Sequence, residues 1–553
     1  MLRRALVGIS LLTSNAFRMP SKTFAAAAAL RRDPILMAAT AALPKEETGV
    51  ATLLCASPEA DGRGTLIAVL DTGCDLAAAG LLKTSDGRPK YVDFLDCTGG
   101  GDIDTSKTAK VEDGTVTGVS GRKLKLGTWA GGLEEVRIGA VKLYDLLPGS
   151  VLRRVKKERK AAFATKQHAA VTSAQRDLEA TKDSKKKKDA EAVLSELTKL
   201  MDGYDDAGPL LDIITYKDSV DGKWRMIVAS EDSEAAAEHA VIDLSGVTPM
   251  APYREGQQVG DLGFGTALSY CVQVYDGGST SCIVVDAGSH GTHVAGIAAA
   301  NFEDQPERNG VAPGAQVLAC KIGDGRLGSA ETGTGLVRAL IAAKAAGCDL
   351  INLSYGEPFW QVDYGRTSQT FIDAVRKWNM NVFTSAGNDG PALSSLGAPG
   401  CLSSLITVGA YVSPPMMSVQ YSMLDPTDDD DTPSATSYSF SSRGPTPDGF
   451  LPTLCAPGGA IAPVPRHCLQ GKAQYHGTSM SSPNACGVAA CVLSALKQSG
   501  VHIGPAELRR ALENSALPVE TSDPFAQGFG LINAPAAVAY ATEHHGKLGQ
   551  DLE

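Results

Sequence analysis

Ser479 lies in Gly477-Thr478-Ser479-Met480-Ser481-Ser482-Pro483, with small residues on both sides of one hydroxyl and a helix-like run over 484–495 behind it. That setting exposes a hydroxyl at a helix N-terminus, where unpaired N–H groups and the macrodipole favour developing negative charge. A neutral serine is a poor nucleophile, so it needs a base and an acid that orients the base. The chain offers both. Asp71 closes the apolar run Leu66-Ile-Ala-Val-Leu-Asp71 ahead of Thr72-Gly73, and His290 stands in Ser289-His290-Gly291-Thr292-His293. A fourth group, Asn388 in Ser385-Ala-Gly-Asn388-Asp-Gly390, follows a strand-like stretch and is suited to aim its amide into an oxyanion hole. Acyl transfer is the chemistry these four would share. Ser479 attacks a carbonyl, His290 takes its proton and passes it on, Asp71 holds the imidazole, and Asn388 meets the oxyanion. That chemistry needs no metal and no organic cofactor.

The elements that must position them are legible in the periodicity. Apolar, β-branched runs over 65–70, 316–322, 349–353 and 381–384 predict buried parallel strands, and segments 290–300, 335–346 and 368–378 predict helices between them. Strands alternating with helices imply an α/β fold with a doubly wound, mostly parallel sheet and its active groups at strand C-terminal ends. Asp71 and His290 are 219 positions apart, far more than a direct connection uses, so a large α+β insertion is expected over 126–260. Within it, 150–202 is free of Gly and Pro and rich in Ala, Lys, Glu and Leu, which predicts a long helix or helical hairpin. Its basic clusters over 153–160 and 185–188 read as a solvated arm, or else as a contact for an acidic partner. A small strand-bearing subdomain is expected over 210–230.

Composition sets further bounds. At 553 residues the chain holds more than one domain, or one large domain with an insertion, and 43% hydrophobic content is ample for a core. A net charge of −11 argues against a nucleic-acid binder. No apolar run approaches the roughly 20 residues of a membrane span. The twelve cysteines form no CxxC pair, which makes a zinc ribbon improbable and favours reduced thiols in a cytosol-like compartment. Residues 1–43 form an Arg-rich extension whose first 32 positions contain no acid. Such a stretch suits an organelle presequence, a disordered extension or a misplaced start codon, with mitochondrial import as the alternative to a cytoplasmic location. A peptidase domain over 44–545 and a short tail over 546–553 complete the expected organisation.

Other motifs carry weaker signals. Gly323-Asp-Gly-Arg-Leu-Gly328 matches a dinucleotide fingerprint, but no acid follows the second strand as that site requires, so the glycines read as a substrate-lining loop. Asp71-Thr-Gly73 resembles an aspartic-protease signature but has no second copy with which to share a proton. His293, three residues after His290, is expected to be a hydrogen-bonded structural histidine rather than a metal ligand. His476 reads as a turn residue. The aspartates at 425 and 428–431 suggest an exposed loop, with a calcium site as the alternative.

The motifs around Asp71, His290, Asn388 and Ser479, in that order, resemble the subtilisin (subtilase) superfamily. Within it the chain looks most like the tripeptidyl-peptidase II family, on longer stretches. These include Pro306-Glu-Arg-Asn-Gly-Val-Ala-Pro-Gly-Ala-Gln316, Glu331-Thr-Gly-Thr-Gly335, Asn352-Leu-Ser-Tyr-Gly-Glu357, Phe440-Ser-Ser-Arg-Gly-Pro445 and Ala456-Pro-Gly-Gly-Ala-Ile461. The likeness runs from about Pro44 to Ala541. It implies a subtilisin-like fold and a serine exopeptidase that releases tripeptides from oligopeptides with a free N-terminus, with Glu331 and Glu357 binding the substrate ammonium. A fixed anchor counts residues to the nucleophile, because three extended residues span roughly 10 Å. Two other readings stand beside it: a subtilisin-like endopeptidase, and a truncated, catalytically silent assembly subunit. The family carries a long C-terminal region used in building giant assemblies, whereas this chain stops at Glu553, so at most a smaller homo-oligomer is expected.

Overall fold

The computed structural model describes residues 42–229, 241–358, 361–421 and 434–547. The Arg-rich stretch up to residue 41, the aspartates at 425 and 428–431, and the tail from 548 lie outside the described residues.

One eight-stranded sheet organises the chain. Its strands are β1 (Leu66–Asp71), β2 (Tyr91–Asp96), β3 (Gln316–Lys321), β4 (Leu350–Leu353), β5 (Asn381–Ser385), β6 (Ile406–Val412), β7 (Thr436–Ser437) and β8 (Leu454–Pro457). They lie in the order β2-β3-β1-β4-β5-β6-β7, with β8 also paired to β6, and every pairing is parallel except β6 with β7. The fold is thus the mostly parallel α/β architecture that the alternating pattern leads one to expect. Successive side chains of a strand point to opposite faces. Ile67 and Val69 accordingly enter one core with α1 (His290–Ala299) and α3 (Thr478–Gln498). Ala68 and Leu70 enter the other with α2 (Gly333–Ala346). Burial on both faces explains why these strands read as continuous apolar runs. α1 and α3 are buried almost throughout, so neither shows an amphipathic stripe. α3 starts at Thr478, six residues ahead of the run that reads as helical in the sequence, and takes Ser479 into its first turn.

The chain between β2 and α1 builds a second body. Strands Lys107–Lys110, Glu135–Lys142, Leu210–Lys217 and Trp224–Ala229 form one antiparallel sheet. Asp102–Asp104 pairs with Thr280–Val284 in another, so strands of this body lie on both sides of 126–260. Two satellite cores hold it, one around Leu143, Val151, Ile213 and Leu262 and one around Leu124, Ile214 and Ile227. From it extends a helical hairpin, Gly149–Ala180 and Ser184–Asp202, broken where the Asp183 carboxylate caps the N–H groups of Lys185 and Lys186. No residue of the second helix is buried. Among the described residues no helix is long and apolar enough to cross a membrane.

Candidate active site

β1 delivers Asp71 at its C-terminal end, fully buried, where Oδ1 accepts the backbone N–H of Thr72 at 2.8 Å. The same oxygen lies 2.7 Å from His290 Nδ1 at the start of α1. Gly291 makes that approach feasible, since a Cβ there would sit 2.2 Å from the Gly73 carbonyl oxygen. The Thr72 hydroxyl accepts from the Gly291 N–H at 2.9 Å and further ties the helix start to the strand end. Burial alone would favour a neutral His290 ring, but the Asp71 charge and hydrogen bond outweigh it and hold the ring above its ordinary 6.5.

Ser479 is placed by a device that motif reading does not reveal. Pro483 lacks the N–H that would bond to the carbonyl four residues back in α3. The freed Ser479 carbonyl instead accepts the Ser354 hydroxyl at 3.1 Å. Asn352 Nδ2 donates to that hydroxyl at 3.0 Å, and Asn352 Oδ1 accepts the Ser482 hydroxyl at 2.7 Å. A buried polar lattice thus fastens α3 to the end of β4. The Ser479 hydroxyl itself donates to the Ser354 carbonyl at 3.3 Å. It lies in the cleft that His290 also lines. Two signals for the lattice existed in the sequence, an asparagine inside the apolar run of β4 and a proline inside a helix.

Asn388 follows β5. Its Oδ1 accepts the Thr478 N–H at 2.9 Å and the Thr478 hydroxyl at 3.1 Å, which leaves Nδ2 as a donor beside the N-terminus of α3. Gly387 (φ 106°) makes the turn; a Cβ there would lie 2.7 Å from Ser442 Oγ. His290, Ser354, Tyr355, Glu357, Asn388 and Ser479 all line one cavity of about 440 Å³.

Glu357, exposed, lies on the cavity wall, where its backbone bridges to Ala398. Glu331 does not line the cavity. It ends a small hairpin in which Gly323–Asp324 pairs with Ala330–Glu331. Burial raises its carboxyl above the usual value, with further contributions from the charges of Glu357 and Asp71. The Tyr355 hydroxyl donates to the Ser329 carbonyl at 3.0 Å and ties this hairpin to the cavity wall. Among the described residues no Lys or Arg side chain pairs with either glutamate. The glycine-rich turn 323–328 supports this hairpin, and its residues are not among those that line the 440 Å³ cavity. Asp324 is committed within that turn, capping and pairing with Arg326 at 2.6 Å.

His293 is buried, with Nε2 3.0 Å from the Ala473 carbonyl oxygen and the ring against Tyr475. Burial pushes it down to about 3, so it stays neutral. His476 ends the strand Lys472–His476 and stacks on Tyr421, so it is a strand residue rather than part of a turn. Among the described residues no cluster of three or more His, Cys, Asp or Glu could hold a metal ion.

This sheet, with an Asp–His contact and a serine at a helix start, defines the class. The sequence pattern of the Subtilase family (Peptidase S8) matches residues 62–530, and the chain belongs to that family. It is 43% identical to the tripeptidyl-peptidase 2 of Oryza sativa subsp. japonica over 91% of this chain and 37% of that protein. Against the tripeptidyl-peptidase 2 of Arabidopsis thaliana it is 43% identical over 90% of this chain and 37% of the relative. A crystal structure titled tripeptidyl peptidase 2 (TPP II) superposes with a TM-score of 0.67 at 32% identity, covering 90% of this chain and 38% of the other. The chain therefore spans a little over a third of the length of these relatives.

Proposed function

We propose that the chain is a serine exopeptidase that releases tripeptides from unblocked N-termini. In this reading Ser479 attacks the third carbonyl, His290 is general base and then general acid, Asp71 fixes the imidazole, and Asn388 Nδ2 with the N–H groups at the start of α3 binds the oxyanion. An acyl-enzyme then hydrolyses. Glu331 and Glu357 hold the substrate ammonium by charge-assisted hydrogen bonds, and Tyr355 sets the spacing between that anchor and the nucleophile.

The observation that carries the reading is the half-buried Glu331 carboxylate, which faces the charge of Glu357 and has no cationic partner among the described residues. A buried negative charge without a counter-ion is costly, and an incoming ammonium relieves that cost. The names of the relatives point the same way. Mass spectrometry of products from free-amine and N-acetylated peptides tests it. Free-amine peptides should shed tripeptides in sequence, while acetylated ones resist. Efficient internal cleavage of acetylated peptides would make the chain an endopeptidase, and failure of Ser479 to react with a fluorophosphonate would make it a silent subunit.

A cytoplasmic site is part of this proposal, supported by twelve cysteines that are all free in the structure. So is a homo-oligomeric state, which sedimentation of the purified chain would test.

A further inference from the structure

Ten of the twelve cysteines are buried; Cys55 is exposed and Cys468 is half-exposed. Cys468 ends the tight turn Arg466–Cys468, which joins strand Gly459–Pro463 to the antiparallel strand Lys472–His476 just ahead of Gly477. Its sulfur has unusual company. His467 Nδ1 lies 3.8 Å from Cys468 Sγ, while Nε2 of the same ring lies 2.8 Å from Asp286 Oδ1. His467 is 6% exposed and Asp286 1%, and the second Asp286 oxygen has no hydrogen-bond partner among the described residues. The carboxylate is therefore committed to this one ring. Burial works against a charged imidazole here, but Asp286 outweighs it and pushes His467 up to about 10. One ring thus links the buried carboxylate to the sulfur, with Nε2 on Asp286 and Nδ1 on Cys468. The other charges around the turn are Arg466, 3.5 Å from Asp75 and 3.6 Å from Asp261, with the Asp75 carboxylate also accepting the Arg466 backbone N–H at 2.8 Å.

We propose that Cys468 is a modifiable thiol, activated by the His467–Asp286 pair, and that its exchange with a low-molecular-weight disulfide lowers turnover at the Ser479 site. The step is thiol–disulfide exchange. The Cys468 proton leaves to solvent and Sγ attacks one sulfur of the reagent. The reagent's S–S bond breaks, a mixed disulfide forms on Cys468, and the departing thiolate takes a proton from water. One disulfide replaces another, so no separate oxidant is needed. An imidazole in contact with a partly exposed thiol is positioned to assist its exchange by hydrogen bonding to the sulfur.

The turn is wired to the catalytic groups on two sides. Asp286 lies four residues before His290, and the intervening Ala287 N–H donates to the Thr72 carbonyl at 2.7 Å. From the hairpin, Tyr475 OH lies 2.8 Å from Ser289 Oγ, and the Ala473 carbonyl oxygen lies 3.0 Å from His293 Nε2. An adduct on Cys468 adds bulk at this turn, and a displaced turn would carry with it the contacts that seat the first turn of α1. The reactivity of the thiol is independent of the peptidase reading; only the loss of turnover rests on it.

The test uses the full chain and glutathione disulfide at pH 7, with peptide mapping to follow Cys468 and Cys55 in one sample. Cys468 should be modified at least about tenfold faster than the more exposed Cys55. Hydrolysis of a free-amine peptide should fall about fivefold or more in step with Cys468 occupancy, and dithiothreitol should restore it. Cys468→Ser should abolish the inhibition and Cys55→Ser should leave it intact. His467→Gln should slow modification about tenfold; should that variant not fold, the comparison of the two thiols in the parent still decides. Equal or slower reaction at Cys468 overturns the proposal, as does full modification with undiminished hydrolysis. A parent chain that cleaves no peptide overturns the peptidase reading and the inhibition with it, while the two labelling rates still decide the activation of the thiol.

Discussion

The eight-stranded sheet and the body inserted between β2 and α1 solve the problem of burial in opposite ways. Strands of the sheet bury both faces, and their C-terminal ends carry the Ser354–Glu357 segment and Asn388 to one cavity and Asp71 to the histidine that lines it. The inserted body rests on two small cores and sends out a helical hairpin whose distal helix has no buried residue. Side chains that must be held to a fraction of an ångström come from the first region, and adaptable, charged surface comes from the second. The comparison predicts that substitutions in the sheet region act on chemistry and that those in the hairpin act on neither chemistry nor fold.

The largest expected effect is Ser479→Ala or His290→Ala, each lowering kcat by about 10⁵–10⁶ with little change in KM, a scale set by subtilisin. Asp71→Asn should cost about 10⁴ and should also move the acid limb of the rate profile. His290 is held above 6.5 by the Asp71 charge, and only its neutral form is a base. Activity of the parent should therefore fall as pH drops through a midpoint above 6.5, and removal of the charge should shift that midpoint down; a profile of kcat/KM against pH reads both. Asn388→Ala should lower kcat by about 10²–10³, the subtilisin scale for one lost oxyanion donor. Glu331→Gln should raise KM for free-amine peptides about 10- to 100-fold, the worth of one charge-assisted bond, with no effect on acetylated ones. The smallest effect belongs to the hairpin. Replacing Lys185–Lys188 by glutamine should change stability by no more than about 0.5 kcal/mol per residue in denaturant titration and leave kcat/KM unaltered. A drop in kcat/KM there would join the two regions functionally and break the contrast.

Legibility divides along the same line. Strands β1, β3, β4 and β5 are readable because burial on both faces leaves near-unbroken apolar runs of strand length. The turns around His290, Asn388 and Ser479 are readable because close approaches at Gly291 and Gly387 restrict the sequence to glycine and its small neighbours. The helical hairpin is visible in its freedom from Gly and Pro, while its break shows only as an aspartate cap. Strands such as Lys107–Lys110 and Asp102–Asp104 are not readable, since segments of three or four mostly exposed residues are too short for a period to register. The Ser354–Ser479 contact spans 125 positions and has no periodic trace. It emerges only from asking where a carbonyl finds a donor once proline has removed the usual one.

That last contact has a mechanical consequence. Because α3 is laced to β4 through Ser354, Asn352 and Ser482, the Ser479 hydroxyl and the wall beside it form a single rigid jaw. A distortion that tilts one must drag the other, so errors in alignment are shared rather than accumulated.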